Sequence, residues 1–366
     1  MISFLDLHAA TRELQPALDT AVGRVLNSGW YVGGPELTAF ETAWADYCGA
    51  AHAVGVGNGL DALHLALKAI GVGPGDEVIV ASNSYIATQL AVSMVGATPV
   101  PVEPDSETHN LDPARIEAAI TARTKVILPT HLYGQPADLG LMAAIAAAHG
   151  LTLIDDAAQA HGARQRGRRI GGGGVTRITC WSFYPSKNLG ALGDGGAITT
   201  DDPALAHKVR MLGNYGSDVR YVNQEQGVNS RLDPLQAAVL GAKLGKLDEW
   251  NQRRTAIAAF YGTALADTGL TLPRVPNWAE PVWHLYVVQS EDRDRLAARL
   301  AEAGVQTLIH YPIPPHRQQA YAGMGLGEGS LPIAESLAKL VLSLPIGPHL
   351  GLDQAERVAE AVRNAV

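Results

Sequence analysis

The sequence predicts an α/β fold: a mostly parallel central sheet flanked by helices, with a smaller α/β unit at the C-terminal end. Two observations carry that expectation. Short β-prone apolar runs alternate with helix-period segments along the 366 residues, with no internal repeat. Apolar residues make up 47% and charged residues 17%, enough for a large core and too apolar for disorder.

The same composition excludes several functions. The net charge is −8 with no long basic run, which argues against nucleic-acid binding, while backbone donors still allow small phosphorylated ligands. Cys48 and Cys180 make neither a disulfide framework nor a metal site, so both are expected in the core of a cytoplasmic protein. The N-terminus lacks a signal-peptide pattern and no apolar run is long enough to cross a membrane.

Residues 1–30 read as an arm and a helix, with Leu14, Leu18, Val22 and Leu26 on one face. Trp30 and Tyr31 lie in the following loop, lining a pocket or covering a core edge. A second helix over 36–47 presents Leu37, Phe40 and Trp44. The strand 51–56 then runs into Gly57-Asn58-Gly59-Leu60, a glycine turn that opens a helix. Free N–H groups at such a helix start suit a phosphate, although many ligand-free turns look alike and the third glycine of a dinucleotide fingerprint is missing. That missing glycine also weighs against a nicotinamide dehydrogenase.

Strands follow at 77–80, 98–102 and 125–129, with helices at 114–120 and 138–149. Tyr85 is placed either to stack on a planar cofactor or to pack on the core. The strand 151–154 ends in Asp155-Asp156, at the sheet end where ligands bind. A carboxylate buried there needs a positive partner, for which a pyridinium nitrogen would serve. A metal pair or a solvated helix cap are the alternatives. The glycine run at 171–174 reads as part of a flexible surface hairpin.

The strand 178–183 delivers Lys187 in Ser182-Phe183-Tyr184-Pro185-Ser186-Lys187-Asn188-Leu189-Gly190. A desolvated lysine there would lose its proton and attack an aldehyde, as in a Schiff base to pyridoxal phosphate (PLP); an ordinary loop lysine is the other reading. After a strand at 197–200 and a helix at 203–213 comes a polar segment of about 20 residues, of the length usually found at functional sites or interfaces. One long helix over 234–262, strands at 283–288 and 307–311, and helices at 291–303, 332–342 and 353–365 complete the chain. Three divisions are expected: an arm and helix at 1–30, a large domain at 31–245 and a small one at 246–366.

Taken together, Gly57-Asn58-Gly59-Leu60-Asp61-Ala62-Leu63, His131-Leu132-Tyr133-Gly134-Gln135-Pro136-Ala137-Asp138, Asp156-Ala157-Ala158-Gln159-Ala160-His161-Gly162, the Lys187 stretch and Asn229-Ser230-Arg231-Leu232-Asp233 resemble the DegT/DnrJ/EryC1/StrS sugar aminotransferases. That resemblance implies the aspartate-aminotransferase (type I) fold and PLP as cofactor. It casts Lys187 as the Schiff-base and proton-shuttling lysine, Asp156 as partner of the pyridine nitrogen and Gln159 as donor to the ring hydroxyl. Ser182, Gly59 and Leu60 would hold the phosphate, and Tyr85 would stack on the ring. Asn229 would reach the phosphate of a partner subunit, making a homodimer with shared sites. Lysine rather than histidine at position 187 favours amino transfer over dehydration.

Asn58-Gly59-Leu60, Tyr85-Ile86-Ala87-Thr88 and His310-Tyr311-Pro312 resemble the subgroup that aminates C3 of a dTDP-3-keto-6-deoxyhexose, with L-glutamate as donor. Tyr184, Tyr221, His310, Tyr311 and His316 are candidates for the sugar pocket, and Arg220 and Arg231 for the pyrophosphate. A C4 aminotransferase and a non-catalytic regulator on the same fold remain as alternatives.

Overall fold

The computed structural model describes all 366 residues. Seven strands form the central sheet: β1 (His52–Val56), β2 (Glu77–Ala81), β3 (Thr98–Val102), β4 (Thr124–Leu128), β5 (Thr152–Asp156), β8 (Ile178–Ser182) and β9 (Gly196–Thr200), in the order β1-β9-β8-β5-β4-β2-β3. All pairings from β8 through β5, β4 and β2 to β3 are parallel; β9 alone runs against its neighbours. Between β5 and β8, β6 (Arg164–Gln165) and β7 (Arg168–Arg169) make a hairpin, which β10 (Ala279–Glu280) joins. β11 (Tyr286–Gln289) and β12 (Val341–Leu344) form a separate antiparallel pair.

Helices α1 (Leu7–Glu13), α2 (Gln15–Ser28), α3 (Pro35–Cys48), α4 (Gly59–Ala69), α5 (Ala87–Met94), α6 (Leu139–His149), α7 (Pro203–Gly213), α8 (Pro234–Leu244) and α9 (Leu247–Ala264) precede α10 (Arg293–Glu302), α11 (Pro332–Leu340) and α12 (Leu352–Ala365). One apolar cluster, including Phe40, Trp44 and Trp181, packs α3, α6 and α8 against the sheet. A second, including Leu65 and Val209, packs α4, α5 and α7. The strands alternate between the two: Ile79 and Ile127 join the first, Val78, Val80, Val126 and Leu128 the second. A third cluster joins Ile2 and α9 to β11, β12, α10 and α12.

Several sequence expectations are corrected. The predicted helix over 234–262 is two helices, because α8 ends at Gly245 and α9 starts afresh at Leu247. Residues 114–120 form short 3-10 turns. The predicted strand at 307–311 makes only an isolated bridge from Leu308 to Ser343. Leu26 is 60% exposed, because a four-residue spacing drifts round a 3.6-residue helix; Ala21 and Val25 face inward instead. Trp30 and Tyr31 are exposed and cover no core edge within the chain. The first half of the glycine run is packed against the chain rather than forming an open tip. A Cβ at Gly172 would lie 2.2 Å from the Gly49 carbonyl oxygen and one at Gly171 2.6 Å from Trp181, so those two are glycine for close packing, while Gly173 and Gly174 are uncrowded and take a positive φ.

Glu103, just beyond β3, binds the C-terminal unit to the sheet. Its buried carboxylate accepts from Ile333 N (2.7 Å) and Ala334 N (3.0 Å) at the start of α11, and from Ser82 Oγ (3.2 Å). Replacing Glu103 by Ala would orphan both amides, at about 1–3 kcal/mol per unsatisfied group. Glu103→Ala should therefore lower the first thermal unfolding transition seen by calorimetry.

Candidate active site

The sheet's C-terminal ends bring together Asp156 from β5 and, just past β8, Lys187. Asp156 is buried, and the donors to its carboxylate are neutral: Thr88 Oγ1 at 2.9 Å and Thr130 Oγ1 at 3.5 Å on Oδ2, and Ala158 N at 3.1 Å on Oδ1. Burial raises its pKa, while the hydrogen bonds from Ala158 and Thr88 and the charge of Lys187 oppose that rise. Burial pushes the Lys187 ammonium down to about 8, against the pull of Asp156. A minor fraction of Lys187, far larger than for an ordinary lysine, is therefore free amine near neutral pH.

His161, His284 and His310 carry no charge that would compete with Lys187 for the Asp156 carboxylate. Burial depresses His161 to about 3 and His310 to about 4, and takes His284 well below its usual value; the Lys187 charge adds to each shift. His161 Nε2 donates to the Ser182 carbonyl at 2.8 Å, and His310 Nδ1 lies 2.8 Å from Ser343 Oγ. Asn188 fixes the loop after Lys187. Its Nδ2 donates to Asn251 Oδ1 and to the Val282 carbonyl, both at 2.8 Å, which turns Oδ1 to the His284 Nδ1–H at 3.2 Å. Asp155 points away from Asp156 and pairs with buried His131 at 2.9 Å. Because His131 Nδ1 accepts from Ala137 N, the proton sits on Nε2 and is donated to Asp155.

Gln159 is held the same way. Tyr133 N donates to Gln159 Oε1 at 2.6 Å, leaving Nε2 as the outward donor, 3.2 Å from Tyr311 Oη. Tyr133 has a φ of 61°, and neighbouring Gly134 has no room for a side chain: a Cβ there would lie 2.8 Å from His284 N. The Tyr133 hydroxyl donates to the His310 carbonyl. Tyr311 thus arrives from the C-terminal unit, and its ring lies 5.3 Å from that of Tyr85.

At the other end of the site, Asn58 caps α4 by accepting from Asp61 N at 2.9 Å. The Gly59 and Leu60 N–H groups remain without acceptors, at the positive end of the helix. A Cβ on Gly59 would stand 2.6 Å from Ser182 Cβ, so only glycine lets that serine approach. The Ser182 hydroxyl accepts from Tyr184 N at 3.3 Å, and its own proton is unused.

The residues named from sequence divide into two groups. Gly59, Leu60, Ser182, Asp156, Gln159, Lys187, Tyr85, His310 and Tyr311 converge on this site. Tyr184 and Asn229 are exposed, and Tyr221 is 85% exposed, on surface segments that no part of the same chain covers. Arg231 donates to Asn214 Oδ1 at 2.9 Å, and Arg220 lies over the Tyr221 ring. His316 is not in the group: its buried ring pairs with Glu335 at 3.1 Å. Sequence reasoning missed Thr88, His131, Asn188, His161 and His284. The first four lie inside stretches already singled out; His284, distant in sequence, carries no local signal.

The chain matches the model of the DegT/DnrJ/EryC1/StrS aminotransferase family over residues 13–363. It belongs to that family. It is 58% identical over 363 residues to the erythromycin biosynthesis sensory transduction protein EryC1 of Saccharopolyspora erythraea, covering 99% of each chain. It is 56% identical to the dTDP-3-amino-3,4,6-trideoxy-alpha-D-glucose transaminase of Streptomyces venezuelae, covering 99% of this chain and 95% of that one. The dTDP-3-amino-3,6-dideoxy-alpha-D-galactopyranose transaminase of Aneurinibacillus thermoaerophilus is 51% identical, with 99% of each covered. Among solved structures, S. venezuelae DesV in complex with a ketimine intermediate superposes with a TM-score of 0.98 at 56% identity, covering 99% of this chain and 98% of that one. The family assignment agrees with the α/β, mostly parallel architecture described above.

The residues of this aminotransferase site fit PLP. An uncapped pair of amides beside a free hydroxyl suits a phosphate; a buried carboxylate with only neutral donors suits a protonated ring nitrogen; a half-buried amine of low pKa suits an aldehyde. In the protein freed of cofactor, the acylation rate of Lys187 by an amine-reactive reagent should rise with pH through a midpoint near 8. Asp156→Asn should move that midpoint down, because the lost carboxylate stabilised the charged amine; peptide mass mapping against pH reads both.

Proposed function

We propose that this chain is a PLP-dependent sugar aminotransferase that moves the amino group of L-glutamate to the C3 ketone of a dTDP-linked 3-keto-6-deoxyhexose. One observation carries the reading: a half-buried lysine of lowered pKa lies near enough to a buried carboxylate for each to shift the other's pKa, and that carboxylate has no basic side chain bonded to it. The transaminases of Streptomyces venezuelae and Aneurinibacillus thermoaerophilus, both named for 3-amino dTDP sugars, support the substrate class.

In this reading Gly59 N, Leu60 N and Ser182 Oγ hold the cofactor phosphate. Asp156 holds the ring nitrogen protonated, Gln159 Nε2 donates to the ring hydroxyl, and Tyr85 lies against the ring. Bound there, PLP supplies a carbonyl that takes up the amino group and a ring that accepts electrons from the carbon losing its proton. Lys187 Nζ takes that proton from the amino-bearing carbon and returns it to the acceptor carbon, a role worth about 10²–10⁴-fold. Its lowered pKa leaves a lone pair available at neutral pH. His310 and Tyr311 line the sugar side, and Asn229 reaches the phosphate of a second copy in a homodimer. Tyr184 and Tyr221 remain the outer sugar-pocket candidates from sequence, whereas His316 is committed to its buried pairing with Glu335. The chain divides at about residues 30 and 245, and the enzyme works in the cytoplasm; no helix is long and apolar enough to cross a membrane.

The test is a visible spectrum of the cofactor-loaded protein before and after L-glutamate, followed by a panel of keto-sugar nucleotides. The cofactor band should bleach with glutamate and return with a dTDP-3-keto sugar. Return with a 4-keto sugar alone would move the reaction to C4. No response to glutamate would favour a regulator, the role that the name of the Saccharopolyspora erythraea relative suggests. Initial-rate lines at several glutamate concentrations should run parallel, since one substrate leaves before the next binds. Lys187→Ala should lower turnover by at least about 10²-fold in the same assay.

A further inference from the structure

Behind the loop that carries Lys187 lies a cavity of about 260 Å³, enclosed by the first residues of α1, the stretch 185–192, α8 and α9. Lys187 and Asn188 line it, but none of Gly59, Leu60, Asp156, Gln159 or Ser182 does, so it adjoins the cofactor cradle from behind. Two cations on its wall are buried: Lys243 is 6% exposed and Arg254 3%. Neither forms an ion pair. Lys243 Nζ donates to the Gly190 carbonyl at 2.6 Å and has two further N–H groups without partners. Arg254 spends Nη1 on the carbonyls of Trp283 (3.1 Å), His284 (3.3 Å) and Ile346 (3.3 Å), while Nε and Nη2 donate to nothing.

The other charged groups on the wall do not neutralise this pair. Asp6, the one carboxylate, caps α1 through Ala9 N (3.0 Å) and faces Arg12 at 3.9 Å, and His349 is engaged with Glu13 at 2.6 Å. Burying unpaired charge is costly, and a counter-ion relieves that cost. The cavity holds several times the roughly 30 Å³ that one water occupies, yet falls below the roughly 300–1,000 Å³ of sites for drug-sized ligands.

We propose that this cavity is a second anion site, in which the free donors of Lys243 and Arg254 bind one small oxyanion, a carboxylate or a phosphate, next to the reactive lysine. Occupancy favours the protonated form of Lys243, so the site binds its anion most tightly while that lysine keeps its proton. Burial already depresses Lys243 to about 8, with no carboxylate to oppose it. Binding is therefore strongest below that value and weakens as pH rises and Lys243 loses its proton. Burial lowers Arg254 as well, to about 10, so Lys243 is the first of the two to lose its proton.

The test uses the cofactor-loaded protein, whose phosphate cradle is already filled, and does not depend on transamination. Sodium phosphate and sodium glutarate are titrated separately by calorimetry at pH 7 and pH 9.5, against sodium chloride at matched ionic strength. The account expects saturable binding of one anion per chain, at least tenfold weaker at pH 9.5, with proton uptake in the glutarate arm. Which salt binds tells inorganic phosphate from a dicarboxylate. Lys243→Met should weaken binding at least tenfold. Should that variant not fold, Thr11→Glu serves: Thr11 is half-buried on the cavity wall, bonded only within its own helix, and a carboxylate there fills the site from within. Heats no larger than those of chloride in the unmodified protein, or binding unchanged in the folded variants, overturns the proposal.

Discussion

Everything at this site depends on one electrostatic constraint: a buried carboxylate, Asp156, and a half-buried amine, Lys187, are held close together where water is largely excluded. In water each would be charged and indifferent to the other. Buried, each resists charging, so the carboxylate rises in pKa and the amine falls. Neither has a permanent ionic partner among the side chains. That is a costly arrangement for a folded protein, and it is sustained where a ligand completes it. The surrounding histidines follow the same rule: all are pushed toward neutrality, so they shape the pocket without competing for the carboxylate.

The fold makes that constraint affordable by fixing backbone first. Asp156 sits at the end of a strand with parallel neighbours on both sides, so its position is set by ladder hydrogen bonds rather than by its own side chain. Its hydrogen-bond donors come from α5 and the end of β4, and the lysine arrives on a loop clamped by Asn188 to α9 and to the segment before β11. The C-terminal unit takes part directly, through Tyr311 on Gln159 and the Glu103 cap of α11. The site is therefore a joint between two packed bodies rather than a pocket within one.

Much of this was legible in the sequence. Strand positions were clear wherever a short apolar run was bounded by glycine or acids, and Thr98–Val102 and Pro203–Gly213 match the structure in full. The phosphate turn was visible as a strand running into Gly57-Asn58-Gly59, although its ligand was not, because free helix-start amides follow from backbone geometry in any such turn. The break between α8 and α9 was hidden because Gly245 sits in an otherwise unbroken helical pattern, where tertiary packing decides. The glycine run misled because glycine serves close packing as readily as mobility. Tyr184, Tyr221 and Asn229 were named from resemblance, and a single chain leaves them exposed, since no local rule says what would cover them.

The most direct test of the central claim is where the cofactor attaches. The purified protein, loaded with PLP and reduced with borohydride, would be digested and its peptides weighed. The account predicts one cofactor mass per chain, on Lys187 alone, and a marked loss of labelling at equal cofactor concentration in Asp156→Ala. Label on another lysine, or undiminished labelling without Asp156, would contradict it.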